Sequence, residues 1–205
     1  MRPRRVGRCC GSTVAASLDD AYSALTWLHG RADELGIAPD RIAIGGASAG
    51  AGLAAGLVLF ARDRGEVPIA FQLLIYPMLD DRTTGRADID EASLRLWNTR
   101  SNRFGWTAYL GRAPGGEGVA DYAAPARRQQ LARLPPAWIG VGTCDLFHDE
   151  DVAYARRLGE AGVPCTLEVV RGAFHGFDVV GRKAQVVQDF RESYRTAMRQ
   201  ALFCA

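Results

Sequence analysis

The stretch Arg41-Ile42-Ala43-Ile44-Gly45-Gly46-Ala47-Ser48-Ala49-Gly50-Ala51-Gly52 sets one serine among small residues. A short apolar run leads into it and an Ala/Leu-rich run follows. Gly46, Ser48 and Gly50 spell G-x-S-x-G, the pattern of a nucleophile elbow, in which a strand turns sharply into a helix and lifts a serine hydroxyl to the apex. The residue types follow from the geometry. A turn that tight leaves no room for side chains beside the serine, so glycine and alanine flank it. The helix N-terminus behind the serine offers unpaired N–H groups and the positive end of a dipole to a developing oxyanion. Taken alone the pattern is weak, because a serine after a strand is more often a helix N-cap than a nucleophile.

Two downstream residues strengthen it. A serine hydroxyl needs a base to take its proton, usually an imidazole that a carboxylate holds in one tautomer. The chain has three histidines. His29 falls on a surface helix upstream of the serine, in Trp27-Leu28-His29-Gly30-Arg31. His148 follows Phe147 at a helix start. His175 comes just past the strand Thr166-Leu167-Glu168-Val169-Val170, and Asp145 just past the apolar run Trp138-Ile139-Gly140-Val141-Gly142-Thr143-Cys144. Ser48, Asp145 and His175 therefore all sit at strand ends, the edge where open parallel sheets bind ligands. His148 stays in reserve as an alternative base.

Alternating strands and helices signal a parallel α/β sheet. The pattern predicts a helix over 17–35, a strand over 41–45, the elbow helix to Arg64 with Gly65 stopping it, and a buried strand over 69–76 that Pro77 ends. Residues 82–133 read as irregular, with short helices over 91–95 and 105–110. A strand over 138–143, a helix over 149–161, a strand over 166–170 and a last helix over 183–202 complete the chain. That helix aligns Val186, Val187, Phe190, Tyr194 and Met198 as core.

The motifs together resemble those of the hormone-sensitive-lipase-like α/β-hydrolases, the bacterial family IV esterases. The matching stretches are Leu18-Asp19-Asp20-Ala21-Tyr22 with Trp27-Leu28, the elbow at 45–52, and Tyr76-Pro77-Met78-Leu79-Asp80-Asp81-Arg82. Leu134-Pro135-Pro136-Ala137, Asp145 with Asp149-Glu150, Gly162-Val163-Pro164 and His175-Gly176-Phe177 follow. The resemblance runs from about residue 16 to the C-terminus. It implies Ser48 as nucleophile, His175 as general base and acid, Asp145 as its orienting carboxylate, and the backbone N–H of Ala49 as an oxyanion donor. It also implies a serine carboxylesterase that acts on short acyl esters through an acyl-enzyme, with no cofactor and no metal.

The family's His-Gly-Gly-Gly-type loop has no counterpart here, since His29-Gly30 continues as Arg31-Ala32. Its N-terminal cap helices and first-half strands have none either. The expected fold class is thus the second half of an α/β-hydrolase fold, a mostly parallel sheet flanked by helices, over residues 16–205. Residues 1–15 form an atypical tail. Two alternatives follow: a weakly active or inactive remnant that lacks the oxyanion loop, and a small-molecule binding protein derived from the same family. Retention of His175 disfavours the second. The strand over 41–45 would be an apolar edge, a route to homo-oligomers.

Composition narrows the partners. At 205 residues and 48% hydrophobic, the chain can bury the core of one domain, and a net charge of +2 points to no polyanion. Arg2, Arg4, Arg5 and Arg8 lack an aromatic or fold motif that would turn them into a nucleic-acid site. No apolar h-region marks a signal peptide and no run is long enough for a membrane span. Cysteines 9, 10, 144, 165 and 204 are odd in number and contain no C-x-x-C pair, which points to a reducing, cytoplasmic setting without structural zinc.

Overall fold

The apolar runs that precede Ser48, Asp145 and His175 are strands of one sheet, and the reason lies in how those strands are buried. In a computed structural model, which describes residues 14–203, four parallel strands run β1 (Ala43–Ala47), β2 (Phe71–Ile75), β3 (Ala137–Cys144) and β4 (Cys165–Phe174), neighbour to neighbour in chain order. A parallel sheet is covered on both faces, so its central strands read as continuous apolar runs rather than alternating ones. Leu74 and Ile139 face one layer, while Phe71 and Trp138 face the other.

Seven α-helices accompany this sheet among the described residues: α1 (Val14–Gly30), α2 (Ala32–Leu35), α3 (Ala49–Arg64), α4 (Thr99–Leu110), α5 (His148–Glu160), α6 (Phe177–Val180) and α7 (Gln185–Phe203). Helices α3 and α5 pack Val58, Leu59, Tyr154 and Leu158 onto Leu74 and Ile139. Helix α7 lays Val187 and Phe190 on Trp138 from the opposite side. Helix α1 lies against α3, with Leu18, Tyr22 and Leu25 meeting Leu57, Ala61 and Val67. Above the carboxyl ends of the strands, Trp106 of α4 joins Met78, Leu146 and Phe147 in a separate apolar cluster. None of these helices is long and apolar enough to cross a membrane.

The four expected strands form, and the element ends move. The run 17–35 forms two helices that break at Arg31. No helix forms over 91–95, where the chain makes turns. The helix expected over 105–110 starts instead at Thr99, because the Asn98 side chain accepts from the Ser101 N–H at 2.9 Å and caps it. Val186, expected in the core, is 46% exposed: it lies one residue, about 100° of helix, off the stripe that runs through Val187, Phe190, Tyr194 and Met198. Gly65 ends α3 as expected, with φ of 65°. Of the tail expected over 1–15, residues 1–13 lie outside the described residues.

Helix α3 runs so close to the loop after β2 that a Cβ at Gly52 would overlap the carbonyl oxygen of Met78, whereas Gly50 faces open space. Gly52→Ala should therefore lower stability by about 1–3 kcal/mol, as overpacking does. Gly50→Ala should leave it within about 1 kcal/mol, on the stabilising side, because alanine is the better helix former. Thermal denaturation of the two variants beside the wild type checks both signs.

Candidate active site

Ser48 occupies the one residue between β1 and α3, with φ of 56° and ψ of −125°. Left-handed φ is uncommon for a residue with a Cβ, and two hydrogen bonds fix it here. The Ser48 N–H donates to the Ile75 carbonyl at 2.9 Å, and the Met78 N–H donates to the Ser48 carbonyl at 3.1 Å. Gly46 makes the turn passable, since a Cβ on it would lie 2.5 Å from the Gly50 carbonyl carbon. The serine is the N-cap residue of α3, yet its side chain caps nothing. Its Oγ instead lies 2.9 Å from Nε2 of His175. Ala49 and Gly50 open the helix, so their N–H groups have no intrahelical acceptor.

The hydrogen-bonded chain continues to a carboxylate. Nδ1 of His175 lies 2.9 Å from Oδ2 of Asp145, whose side chain is fully buried. The other oxygen, Oδ1, accepts from the Phe147 N–H at 3.0 Å, which fixes the carboxylate's plane. Ser48, His175 and Asp145 thus come together from the ends of β1, β4 and β3. An imidazole held this way can accept the serine proton at Nε2 while Nδ1 keeps its own. His148 is elsewhere: its Nδ1 meets Asp149 at 2.8 Å, and Arg86 reaches the other oxygen of Asp149 at 2.7 Å. Those partners, His148 first, hold the Asp149 carboxyl below its usual range. His29 closes α1 and is no part of the site.

Next to Ser48 lies an apolar cavity of about 110 Å³, lined by Ala49, Gly52, Leu53, Met78, Trp97 and Tyr109 among others. Larger clefts, of about 350 and 480 Å³, lie at the amino ends of β2 and β3 and along α7, away from the serine. Cys144 and Cys165 are free thiols, and burial pushes Cys165 up to about 11. Cys9, Cys10 and Cys204 lie outside the described residues. Among the described residues no group of three or more His, Cys, Asp and Glu side chains could hold a metal ion.

A second layer of acids was not legible as such. Asp149, Glu150 and Asp151 all stand in the first turn of α5, at the positive end of its dipole. Only Asp149 reaches solvent. Glu150 turns inward and accepts from the Leu79 N–H at 2.7 Å, the Asp80 N–H at 3.1 Å and the Thr83 hydroxyl, and so holds the loop after β2. Burial nevertheless pushes Glu150 up to about 8. Among the described residues Asp151 has no partner for either oxygen, and burial keeps its carboxyl well above the ordinary range. Asp81, in the same loop, is fully buried against the Arg127 guanidinium at 2.6 Å. The signal for Glu150 was its place three residues into a helix beside Asp145, in a motif read for resemblance rather than for burial.

Comparisons with known proteins show the family. A family model described as alpha/beta hydrolase fold matches residues 10–179. The esterase LipI of Mycobacterium tuberculosis is 35% identical over 166 residues, covering 79% of this chain and 50% of that protein. The carboxylesterase NlhH of the same species is 35% identical over 173 residues, covering 79% and 51%. Among solved structures, a bacterial heroin esterase superposes with a TM-score of 0.88 at 42% identity, over 93% of this chain and 61% of that one. The esterase LipW from Mycobacterium marinum superposes at 0.82 with 37% identity, over 92% and 58%. The chain spans about half the length of the curated relatives it matches.

Glu150 makes stability depend on pH. Its folded value of about 8 lies above its ordinary 4.5, so the native state keeps a proton that the unfolded chain releases between those values. Its contribution is complete below about pH 4.5 and is lost as pH rises through about 8. Glu150→Gln, which cannot ionise, should therefore gain on the wild type as pH rises across that window, by about 2–4 °C in Tm for each kcal/mol the wild type loses. Melting curves of both proteins at acid and alkaline pH check it; a gap that stays constant with pH contradicts it.

Proposed function

Because the chain belongs to the hormone-sensitive-lipase-like α/β-hydrolases, we propose that it is a serine carboxylesterase that hydrolyses short-chain acyl esters. One observation carries the proposal: the unbroken hydrogen-bonded chain from Ser48 Oγ through His175 to Asp145, with both links at 2.9 Å. In this reading His175 takes the Ser48 proton as the hydroxyl attacks the ester carbonyl, then returns it to the leaving alcohol. The imidazolium is stabilised by Asp145. The acyl-enzyme is released when His175 activates a water in the same way. The N–H of Ala49 donates to the oxyanion from the amino end of α3.

Cavity size supports the acyl preference. A dry apolar cavity of 150 Å³ holds a benzene molecule, so about 110 Å³ beside Ala49 admits an acyl chain of roughly four or five carbons. Two further parts of the proposal concern the 205-residue chain by itself. Removal of one oxyanion donor typically slows an enzyme by ~10²–10³, and the chain has no His-Gly-Gly-Gly-type loop to add to Ala49, so its turnover is slow. Among the described residues β1 pairs only with β2, which leaves Gly45 and Ala47 exposed on an unpaired edge. Association with a second copy through that edge follows. The free thiols fit a cytoplasmic location.

Hydrolysis of nitrophenyl esters of increasing acyl length by the purified chain, beside Ser48→Ala, tests the reaction. Acetate and butyrate esters should be cleaved, decanoate far more slowly, and Ser48→Ala should fall to the buffer rate. Activity that survives Ser48→Ala rules the nucleophile out. Size-exclusion chromatography tests the edge separately: a clean monomer whose turnover reaches the range common to enzymes, ~1–10³ s⁻¹, contradicts both the slow turnover and the association.

A further inference from the structure

Tyr76, the residue after β2, has φ of 36°, a left-handed conformation that a bulky side chain rarely adopts. Backbone strain of this kind persists only where the surroundings over-determine it, and it concentrates at functional sites. Here the surroundings are specific. The Tyr76 N–H donates to the Gly140 carbonyl of β3 at 2.7 Å, which aims the side chain toward the end of β4. Its ring then meets the His175 imidazole edge-on, with centroids 4.7 Å apart and planes at 64°. Its hydroxyl donates to Oδ1 of Asp178 at 2.8 Å, and both partners are buried.

Asp178 sits three residues after His175, on α6, and its carbonyl accepts from the Arg191 guanidinium of α7 at 2.8 Å. The turn that carries His175 is therefore anchored on both sides, to α7 through Arg191 and to β2 through Tyr76. Phe147, at 5.2 Å and 84°, and Trp97, at 6.2 Å and 38°, complete an aromatic wall around the imidazole. Burial and the neighbouring carboxylate both raise the phenol's pKa, so the hydroxyl remains a donor at any working pH.

A histidine can face its base-side and acid-side partners at once only if its ring cannot rotate. The links to Ser48 and Asp145 fix the imidazole at its two nitrogens, but the hydroxyl of a serine is free to turn away. The remaining restraint is the surface the ring lies against. We infer that the Tyr76–Asp178 hydrogen bond is a positioning device for His175: it holds the Tyr76 ring against the imidazole and keeps Nδ1 on Asp145 and Nε2 on Ser48. The pair touches no reacting atom. The inference rests on the hydrolase reading for its kinetic arm alone.

Two variants separate the hydrogen bond from the packing. Tyr76→Phe keeps the ring and removes the donor. Asp178→Asn keeps an acceptor oxygen for the Tyr76 hydroxyl. For each, kcat is measured per mole of Ser48 titrated with a nitrophenyl phosphonate, so that unfolded protein does not count, and KM is measured alongside. Long-range ¹H–¹⁵N spectra of histidine-labelled protein in alkaline buffer report the tautomer of His175. The wild type should show one tautomer, with the proton on Nδ1. Tyr76→Phe should show tautomer averaging and lose on the order of tenfold in kcat per titrated serine, by analogy with the outer partners that orient a metal-ligating histidine, with KM unchanged. Asp178→Asn should stay close to the wild type in both readouts.

Tyr76→Phe matching the wild type in tautomer and in kcat per titrated serine overturns the inference, as does Asp178→Asn falling as far as Tyr76→Phe. If the wild type cleaves no ester, the esterase reading falls and the tautomer spectra alone decide the positioning role.

Discussion

The close approach of α3 to the ends of β1 and β2 constrains everything around it. A strand that turns into a helix within one residue brings the first turns of that helix against the neighbouring strand's exit loop. Ser48 takes the strain of that turn, and the end of β2 with its exit loop holds it: Ile75 accepts from its N–H and Met78 donates to its carbonyl. Two glycines on α3 exist for the same reason. A Cβ at Gly52 would overlap the Met78 carbonyl, and one at Gly56 the Tyr122 carbonyl. The serine's position is thus fixed less by its own short strand than by how closely α3 can press on the segments opposite it.

That loop in turn needs a support, and buried carboxylates supply it. Glu150 gathers the Leu79 and Asp80 N–H groups and the Thr83 hydroxyl, while the buried Asp81 carboxylate pairs with the Arg127 guanidinium. Removing one member of such a buried pair leaves an uncompensated charge and typically costs about 3–5 kcal/mol. Asp145, five residues before Glu150 in the same strand-to-helix segment, has a different task because its partners differ. One oxygen takes a backbone N–H and the other takes His175. The segment that runs from the end of β3 into the first turn of α5 thereby orients the imidazole with one carboxylate and braces the serine's loop with another. Neither works without the other, since His175 reaches Ser48 only if both ends are held.

How much of this is legible in sequence depends on how local each cause is. The elbow reads directly, because its small residues are consecutive and each answers to the same turn. The strands β2 and β3 read because both are runs of mostly apolar residues, as doubly covered strands are, with Gln72 the polar exception in β2. His175 reads ahead of His148 because an apolar run precedes it and a polar helix start surrounds the other. Boundaries read less well. The break at Arg31 divides a continuous apolar spacing, and the start of α4 depends on a cap at Asn98 rather than on periodicity. Least legible are pairings across the chain. Tyr76 meets Asp178 from 102 positions away, and the sequence at either end looks like an ordinary strand exit or helix start. Nothing in the run Asp149-Glu150-Asp151 shows which acid turns inward, because that is decided by the loop at 79–83 against which α5 happens to pack.

Strain is distributed accordingly. Four described residues other than glycine have positive φ: Ser48, Tyr76, Leu96 and Arg133. Arg133 precedes β3, at the far end of the sheet. The other three surround the imidazole. Ser48 faces it, Tyr76 packs its ring on it, and Leu96 directs Trp97 to it while its own side chain approaches Gly176. Ser48 and Tyr76 persist at positive φ because hydrogen bonds and packing leave them no relaxed alternative. Helices α3, α5 and α7 provide that packing from both faces of the sheet, so the stability of the layers and the geometry of the site are one problem rather than two. A sheet that loosened would release the strained residues first, and the hydrogen-bonded chain from serine to carboxylate would separate before the core did.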